Sequence, residues 1–417
     1  MWDPYAEFQT ATLDNGLTVH AAHWPNRPWV RMGFLVHTGG AQDPVGLEGL
    51  AHFIEHLVSE NAPIPKKELE ALFLDCGGGV HLGATGYFDT HYGCFVPTDP
   101  HVIARVFDAF GSMLLTARLQ HCVEREREVI HGEFRQRFPL PFLHELALYE
   151  RRALHAGFWP ERSARPLGAP NSIALITQHD LQTHYDAHYT PANMSIVAVG
   201  GIELPTLVRL LSASPFAVEK PGMRTPLATP AMTYAPPSET RHICHLAQHI
   251  TAPISVGAYR SIAAIPRSIS MPTLRILDTM LSEALWEAVR EQRAWSYDID
   301  CSRRHLGHVW EFAIGCDALS LHALDKIEEV VEQCIASLVD REDAFAEAQR
   351  RAIVALPMTD MTARTVCDAT VDDLAFHQRI ILYTEIHDEL ARITMDDIRA
   401  ALAHLRPERR WTLIKRP

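Results

Sequence analysis

Apolar positions along this chain follow two rhythms, strict alternation and helical spacing, which take turns. In "FQTATLDNGLTVHAAHW" β-prone flanks surround Asp14-Asn15-Gly16, a strong turn signal, and the stretch predicts a hairpin. "WVRMGFLVHTGG" predicts a further strand. From Val45 to about Glu60, apolar residues fall at positions 47, 50, 53, 54 and 57, the spacing of a helix. "KKELEALFLDCGGG" predicts a shorter helix stopped by glycines, and "GVHLGATGYFDTHYGCFVPT" alternates like paired strands. Helical patterns dominate from about 99 to 156, and "MSIVAVGG" closes this half as a strand.

Residues 215 to 240 are proline-rich with little periodicity and read as a linker or domain-crossing segment. After it the pattern restarts. "ICHLAQHI" and "PISVGAYR" predict strands, "TLRILDTMLSEALWEAVREQ" a long amphipathic helix, "SYDIDCS" and "HVWEFAIGCD" strands, and "RRWTLIKRP" a last strand after further helices. Each half runs strands, helix, strands, helices, strand, which suggests a duplicated α+β module. The expected division is 1–215, a linker over 216–240, and 241–417.

Composition adds limits to this outline. With 417 residues, 47% apolar and 21% charged, the chain has the profile of a globular protein of two domains. A net charge of -13 argues against nucleic acid or an anionic membrane as the main partner. The opening "MWDPYAEFQTATLDNGL" does not read as a signal peptide, and no run of about 18 apolar residues predicts a membrane span. The eight cysteines are scattered without a CxxC pair, as expected of free thiols in a reducing compartment, so a cytoplasmic location is expected.

The chemistry concentrates in "AHFIEHLVSEN", residues 51 to 61. On a helix, His52 and His56 project from one face, with Glu55 beside them. Two imidazoles so placed present themselves to one metal ion, and the order H-x-x-E-H is the zincin pattern reversed. Phe53, Ile54 and Leu57 are interleaved with them, and an ionisable cluster on so apolar a helix needs compensation for desolvation, which a metal supplies. A zinc site also needs a third protein ligand. In "EREREVIHGEF" Glu126 and Glu133 are seven apart, two turns along one helix face, so one could ligate while the other orients a ligand histidine. Spacing leaves the choice open, and Glu124 and Glu128 with it.

Together these residues resemble the pitrilysin/insulinase family of zinc peptidases, in its short two-domain subclass that includes the mitochondrial processing peptidase. "LDNGLTV" is similar to the family's opening hairpin, "GLEGLAHFIEHL" to its metal-binding helix and "EREREVIHGEF" to its third-ligand segment. "HYTPANMSIVAVGGIE" resembles the strand closing the first half, and "VREQRAWSYDID" a stretch of the second. The resemblance implies two similar α+β domains, each an antiparallel sheet backed by helices, the first for zinc binding and peptidase chemistry, the second for substrate binding and dimerisation. It implies zinc ligands at His52, His56 and Glu133, Glu55 as general base and Glu126 as supporting carboxylate. It implies that Arg290 and Tyr297 reach the substrate and the developing oxyanion from the second domain, acting across a dimer.

There are departures. Where the family usually has an Asn-Ala pair, this chain has Leu82 and Gly83, although Thr85, Thr90 and Tyr92 still fit. An extended substrate can still add to the strand Val80, Leu82, Gly83, Ala84 through backbone hydrogen bonds. In the second half Ala294 and Trp295 replace the usual Gly-Leu, and "MLSEALWEAV" replaces a glycine- and serine-rich run. The expected function is a zinc endopeptidase for short or unfolded peptides, with processing of a ribosomally made precursor as its specialised form. The alternatives are a partner subunit that presents substrate or assembles with another chain, and a binding protein with a structural metal or none. The expected assembly is a homodimer or a heterodimer with a related chain.

Overall fold

The computed structural model describes residues 2–138, 166–226, 241–245, 256–306 and 309–416. The expectations for 139–156, for 227–240, for 246–255 and for His308 lie outside the described residues. Contacts divide the chain into two compact units.

The first unit is built on a six-stranded sheet of β1 (Phe8–Thr12), β2 (Thr18–His23), β3 (Trp29–Val36), β4 (Gly79–Thr85), β5 (Thr90–Pro97) and β6 (Met194–Gly200). The order across the sheet is β1-β2-β6-β3-β5-β4. Neighbours are antiparallel except β2 and β6, which run parallel. The Leu13–Gly16 turn closes the β1–β2 hairpin, with the Gly16 N–H donating to Leu13 O at 2.9 Å and Gly16 at φ 88°. Every residue of β6 is buried, as a central strand covered on both faces must be.

Helices α1 (Leu50–Glu60), α2 (Lys66–Asp75), α3 (Pro100–Leu115), α4 (Val123–Arg137), α5 (Pro170–Leu175), α6 (Gln178–His188) and α7 (Leu204–Ser212) belong to the same unit. Their apolar residues form one core with Met32, Phe34 and Val36 of β3. The opposite face of β3 and β6 carries the Ala363–His377 helix. Gly33 lets it approach closely, since a Cβ there would stand 2.8 Å from Val371 Cγ2.

Three expectations need correction. The helix expected from Val45 begins at Leu50, because Gly46 and Gly49 adopt φ 88° and 97°, outside the helical range. The segment 215–226 is no free linker. Phe216 is fully buried and stacks on Phe34, and Asn15 Nδ2 donates to Phe216 O and Val218 O at 2.8 and 3.0 Å. Pro357–Tyr383 falls inside the stretch expected for the second domain but groups with the first unit. Packing of the Ala363–His377 helix on β3 and β6 is the reason.

The second unit has the sheet order β7-β11-β8-β10-β9, from β7 (Arg241–His245), β8 (Gly257–Pro266), β9 (Ile299–Leu306), β10 (Val309–Ala318) and β11 (Arg410–Arg416). It is antiparallel apart from β7 beside β11. Its order matches β2-β6-β3-β5-β4 strand for strand, with the parallel pair in the same place. The fold class is therefore α+β with two like domains. The long helix α8 (Met271–Leu285) passes into a π-helical turn, Trp286–Glu291.

Candidate metal centre

The site begins with the buried carboxylate of Asp43, which holds the start of α1. It accepts the N–H groups of Gly49 and Ala51 at 2.7 and 2.8 Å. These are orphan donors at the positive end of the helix dipole, where an acidic group is favoured. Even so, burial pushes Asp43 up to about 7. Residues 50, 51, 53, 54, 57 and 58 of α1 are buried, which leaves His52, Glu55 and His56 together on the less buried face.

Asn61 ties the end of α1 to the approach of α4. Its amide donates to Leu57 O at 2.9 Å and His121 O at 3.0 Å, and its carbonyl accepts from the N–H groups of Gln120 and His121. Helix α4 starts directly afterwards and lays its acidic face along α1.

Five predicted residues then meet. His56 Nε2 lies 3.4 Å from Glu133 Oε1, and His52 Nε2 lies 3.6 Å from Glu133 Oε2. His52, Glu55 and His56 each offer one ligand atom within 4.8 Å of the others, but Glu55 is farther from His52 Nε2, at 3.9 Å. Glu126, almost fully buried, bonds to His56 Nδ1 at 3.2 Å. Of the carboxylates left open by spacing, Glu133 faces both imidazoles and Glu126 stands behind one. Glu124 bonds Arg127 instead.

These donors fit a zinc ion. A carboxylate only accepts, so Glu126 fixes the proton of His56 on Nδ1 and leaves a lone pair on Nε2. That lone pair faces a Glu133 oxygen at a distance too long for a strong hydrogen bond, an arrangement a cation between them would stabilise. Atoms bound tetrahedrally at about 2.0–2.1 Å stand about 3.3–3.4 Å apart, close to the two His–Glu133 separations. Burial first, and His56 second, push His52 down to about 3, so it offers a neutral ring. Its Nδ1 is buried without a hydrogen-bond partner among the described residues. Glu133 is 41% exposed at its side chain, so the centre is reached from solvent.

Glu55 is raised above the ordinary carboxylate range by burial, against the pull of His56 and of a 3.1 Å hydrogen bond from Thr85 Oγ1. Gly83 makes room for it. A Cβ on Gly83, whose φ is 152°, would lie 2.2 Å from Glu55 Oε1, and the β4–β5 pairing slips between His81 and Ala84. Val80 and Leu82 pack against the first core, and the other side of β4 is a free sheet edge among the described residues.

Sequence reasoning missed Asp43, Asn61 and Arg125. Arg125 grips Glu126 at 2.9 Å and also pairs with Glu60. Only its place beside Glu126 hinted at this, because the contact with Glu60 depends on how α1 and α4 pack. In the second unit, Arg290 lies in the π-helical turn and donates from Nη1 to Tyr297 O at 2.7 Å. Its guanidinium stacks on the Trp286 and Tyr297 rings at 4.1 and 4.5 Å, and Tyr297 is 68% exposed. Ala294 has φ 50°, a conformation glycine adopts more easily.

Comparison with known proteins gives consistent matches. Residues 18–152 match the model described as Insulinase (Peptidase family M16), and residues 175–352 the one described as Peptidase M16 inactive domain. The beta subunit of the mitochondrial-processing peptidase of Lentinula edodes is 28% identical over 52% of this chain, which spans only 47% of that protein. An uncharacterized zinc protease of Streptomyces coelicolor is 24% identical over 93% of this chain and 85% of its own length. In fold, a protease from Helicobacter pylori superposes with a TM-score of 0.80 at 16% identity, over 100% of both chains. Two successive domain matches to one family cover both halves, and the first contains the paired histidines of α1 and their glutamate on α4. The chain belongs to the pitrilysin/insulinase (M16) peptidase family.

Proposed function

We propose that the protein is a zinc-dependent endopeptidase acting on short or unfolded peptides, with His52, His56 and Glu133 holding the metal. The observation that carries this reading is the convergence of both Nε2 atoms on the two oxygens of Glu133. Zinc held there would supply a Lewis acid for a peptide carbonyl and for the attacking water. Glu55, partly desolvated and held by Thr85, accepts the proton of the attacking water and returns it to the leaving amine. Glu126 keeps His56 in one tautomer and orientation. The free edge of β4, along Val80, Leu82, Gly83 and Ala84, offers backbone groups to an extended peptide.

Arg290 and Tyr297 are, on this reading, donors to the substrate carbonyl and to the oxyanion, supplied by a second copy of this chain or a related one. The stacking of Arg290 on Tyr297 supports the two acting as a unit. A specialised task, trimming a ribosomally made precursor, is the form we favour for a chain with its own edge-strand residues. The described cysteines are all free, which suits the reducing cytoplasm. No helix among the described residues is long and apolar enough to cross a membrane.

A second reading, a subunit that assembles with a different chain, is favoured by the subunit name of the fungal relative. One experiment separates them: zinc content and peptide hydrolysis of the purified protein beside Glu55→Gln. The peptidase reading expects about one zinc per chain in both, and hydrolysis at least about a hundredfold lower in the variant. Zinc-loaded protein that cleaves only after a related chain is added supports the subunit. Equal hydrolysis by the two proteins removes Glu55 from the mechanism.

A further inference from the structure

On the face of the first sheet away from α1 lies a cavity of about 770 Å³, bounded by β3, β4, β5 and the Ala363–His377 helix. We propose that this cavity is a subsite for a basic side chain of a peptide laid along β4. The proposal rests on the peptidase reading above and names the class of peptide that it selects.

Position is the first argument. Along β4, Val80 and Leu82 pack on the core, while His81 turns to the cavity and Gly79, with open space where a Cβ would stand, leaves its mouth clear. Side chains of an added strand alternate in the same way, about 4.8 Å from β4. If one residue of the peptide faces α1 and Glu55, its neighbours face the cavity.

Charge is the second. Asp368 engages both arginines of the lining: it accepts from Arg31 at 2.8 and 3.2 Å and pairs with Arg364 at 3.5 Å. Asp372, one turn further along the helix, forms no hydrogen bond among the described residues and meets only the fields of its neighbours. Burial first, then Asp89, raise it to about 6 against the pull of the His91 ring. Asp89 Oδ2 takes the Nδ1 proton of His91 at 2.8 Å, which leaves Nε2 as the remaining nitrogen of a ring that lines the cavity. An incoming ammonium or guanidinium group thus meets a carboxylate with no hydrogen bond among the described residues, acted on by the imidazole of His91. An incoming anion meets Arg31 already bound to Asp368 through two N–H groups, with the largely exposed Arg364 only loosely paired to the same carboxylate.

The third argument is reach. Val371 and Phe95, the latter stacked on Trp29 at 5.1 Å, give apolar walls that suit the methylene stem of lysine or arginine. A bare inorganic cation fits less well. Among the described residues the one group of three side chains spaced to share an ion is His52, Glu55 and His56.

The test is equilibrium binding of fluorescein-labelled decapeptides, otherwise uncharged, in which one lysine is scanned through the central positions against norleucine. The Glu55→Gln protein is used so that peptides stay intact. The expected result is a preference for lysine of about tenfold at alternate positions, reduced to about one by adding Asp372→Asn and retained with Asp372→Glu. Circular dichroism of each variant confirms that it is folded. A lysine preference that survives Asp372→Asn, or no preference in the Glu55→Gln parent, overturns the subsite. If the preference follows Asp372 but wild-type protein hydrolyses none of these peptides, the subsite stands and the peptidase reading fails instead.

Discussion

Gly83 shows how much can hang on one missing methyl group. The glycine stands where the family resemblance leads one to expect alanine, and the room it leaves is filled by Glu55, with Oε1 2.2 Å from the place of a Cβ. Gly83→Ala must displace either the strand or the carboxylate, and its φ of 152° adds strain for any L side chain. We expect kcat/KM to fall at least about tenfold, since a misplacement of about 1 Å suffices for larger losses. Zinc content should stay near one per chain, because neither histidine is touched. Full activity in the alanine variant would mean that the close approach is irrelevant to Glu55. Glu126→Gln should act on the other quantity, lowering zinc affinity about 10- to 100-fold in a chelator competition. Ala294 is the reverse case of Gly83. Its φ of 50° is a left-handed conformation that glycine adopts more easily, and Ala294→Gly should leave unfolding stability unchanged or raised by up to about 1 kcal/mol in urea titration. His52, Glu55 and His56 were legible as a cluster because residues on one helix turn need only local geometry to converge, whereas spacing left the glutamate from α4 open and only the family resemblance pointed to Glu133. Asp43, Asn61 and Arg125 were not, since each acts through a partner distant in sequence or on a backbone N–H that carries no side-chain signature.

At the scale of elements, alternation and helical spacing located the strands β3 and β10 and the helix α3, although β3 and β10 are buried along nearly their whole length. They failed where long-range packing decides. The proline-rich stretch after α7 hides Phe216, an aromatic among turn formers, yet it completes a cluster with Phe34 at 5.7 Å and Phe107 at 6.1 Å. Removing its ring should cost about 3–5 kcal/mol, the usual range for a buried phenylalanine truncated to alanine. Phe216→Ala tested by urea unfolding checks this, and a change below about 1 kcal/mol would return the segment to linker status. The Ala363–His377 helix was foreseeable as a helix but not as a cover for β3 and β6. Its sequence states an apolar face without saying which sheet receives it, and the receiving site depends on Gly33 lacking a side chain.

At the scale of the whole molecule, stability against acid joins groups that no motif unites. His20 and His37 are buried in the first unit. Burial first and the guanidinium of Arg224 second push His20 down to about 4, and burial, Arg224 and His20 push His37 down to about 3. Unfolded histidine titrates near 6.5, so the unfolded chain takes up these protons first. Their contribution to stability is whole above about pH 6.5 and is lost as the pH falls towards about 4 for His20 and about 3 for His37. Asp43 and Asp373 work in the opposite direction. Burial is the main cause that pushes each up to about 7, so the folded state binds their protons first and gains stability as the pH falls below about 7. The unfolding curve of the parent protein therefore mixes two opposed slopes over one pH window. A difference between parent and variant isolates the histidine slope, because distant groups such as Asp43 and Asp373 cancel while His37, which His20 pushes down, moves with it. His20→Gln keeps a polar group near Thr10 Oγ1, the 2.9 Å partner of His20, but removes the titration. Between pH 6.5 and 4 the variant should lose stability less steeply than the parent, by up to about 1.4 kcal/mol per pH unit. Parallel curves for the two proteins across that window would mean that His20 is hydrated and titrates normally in the folded state.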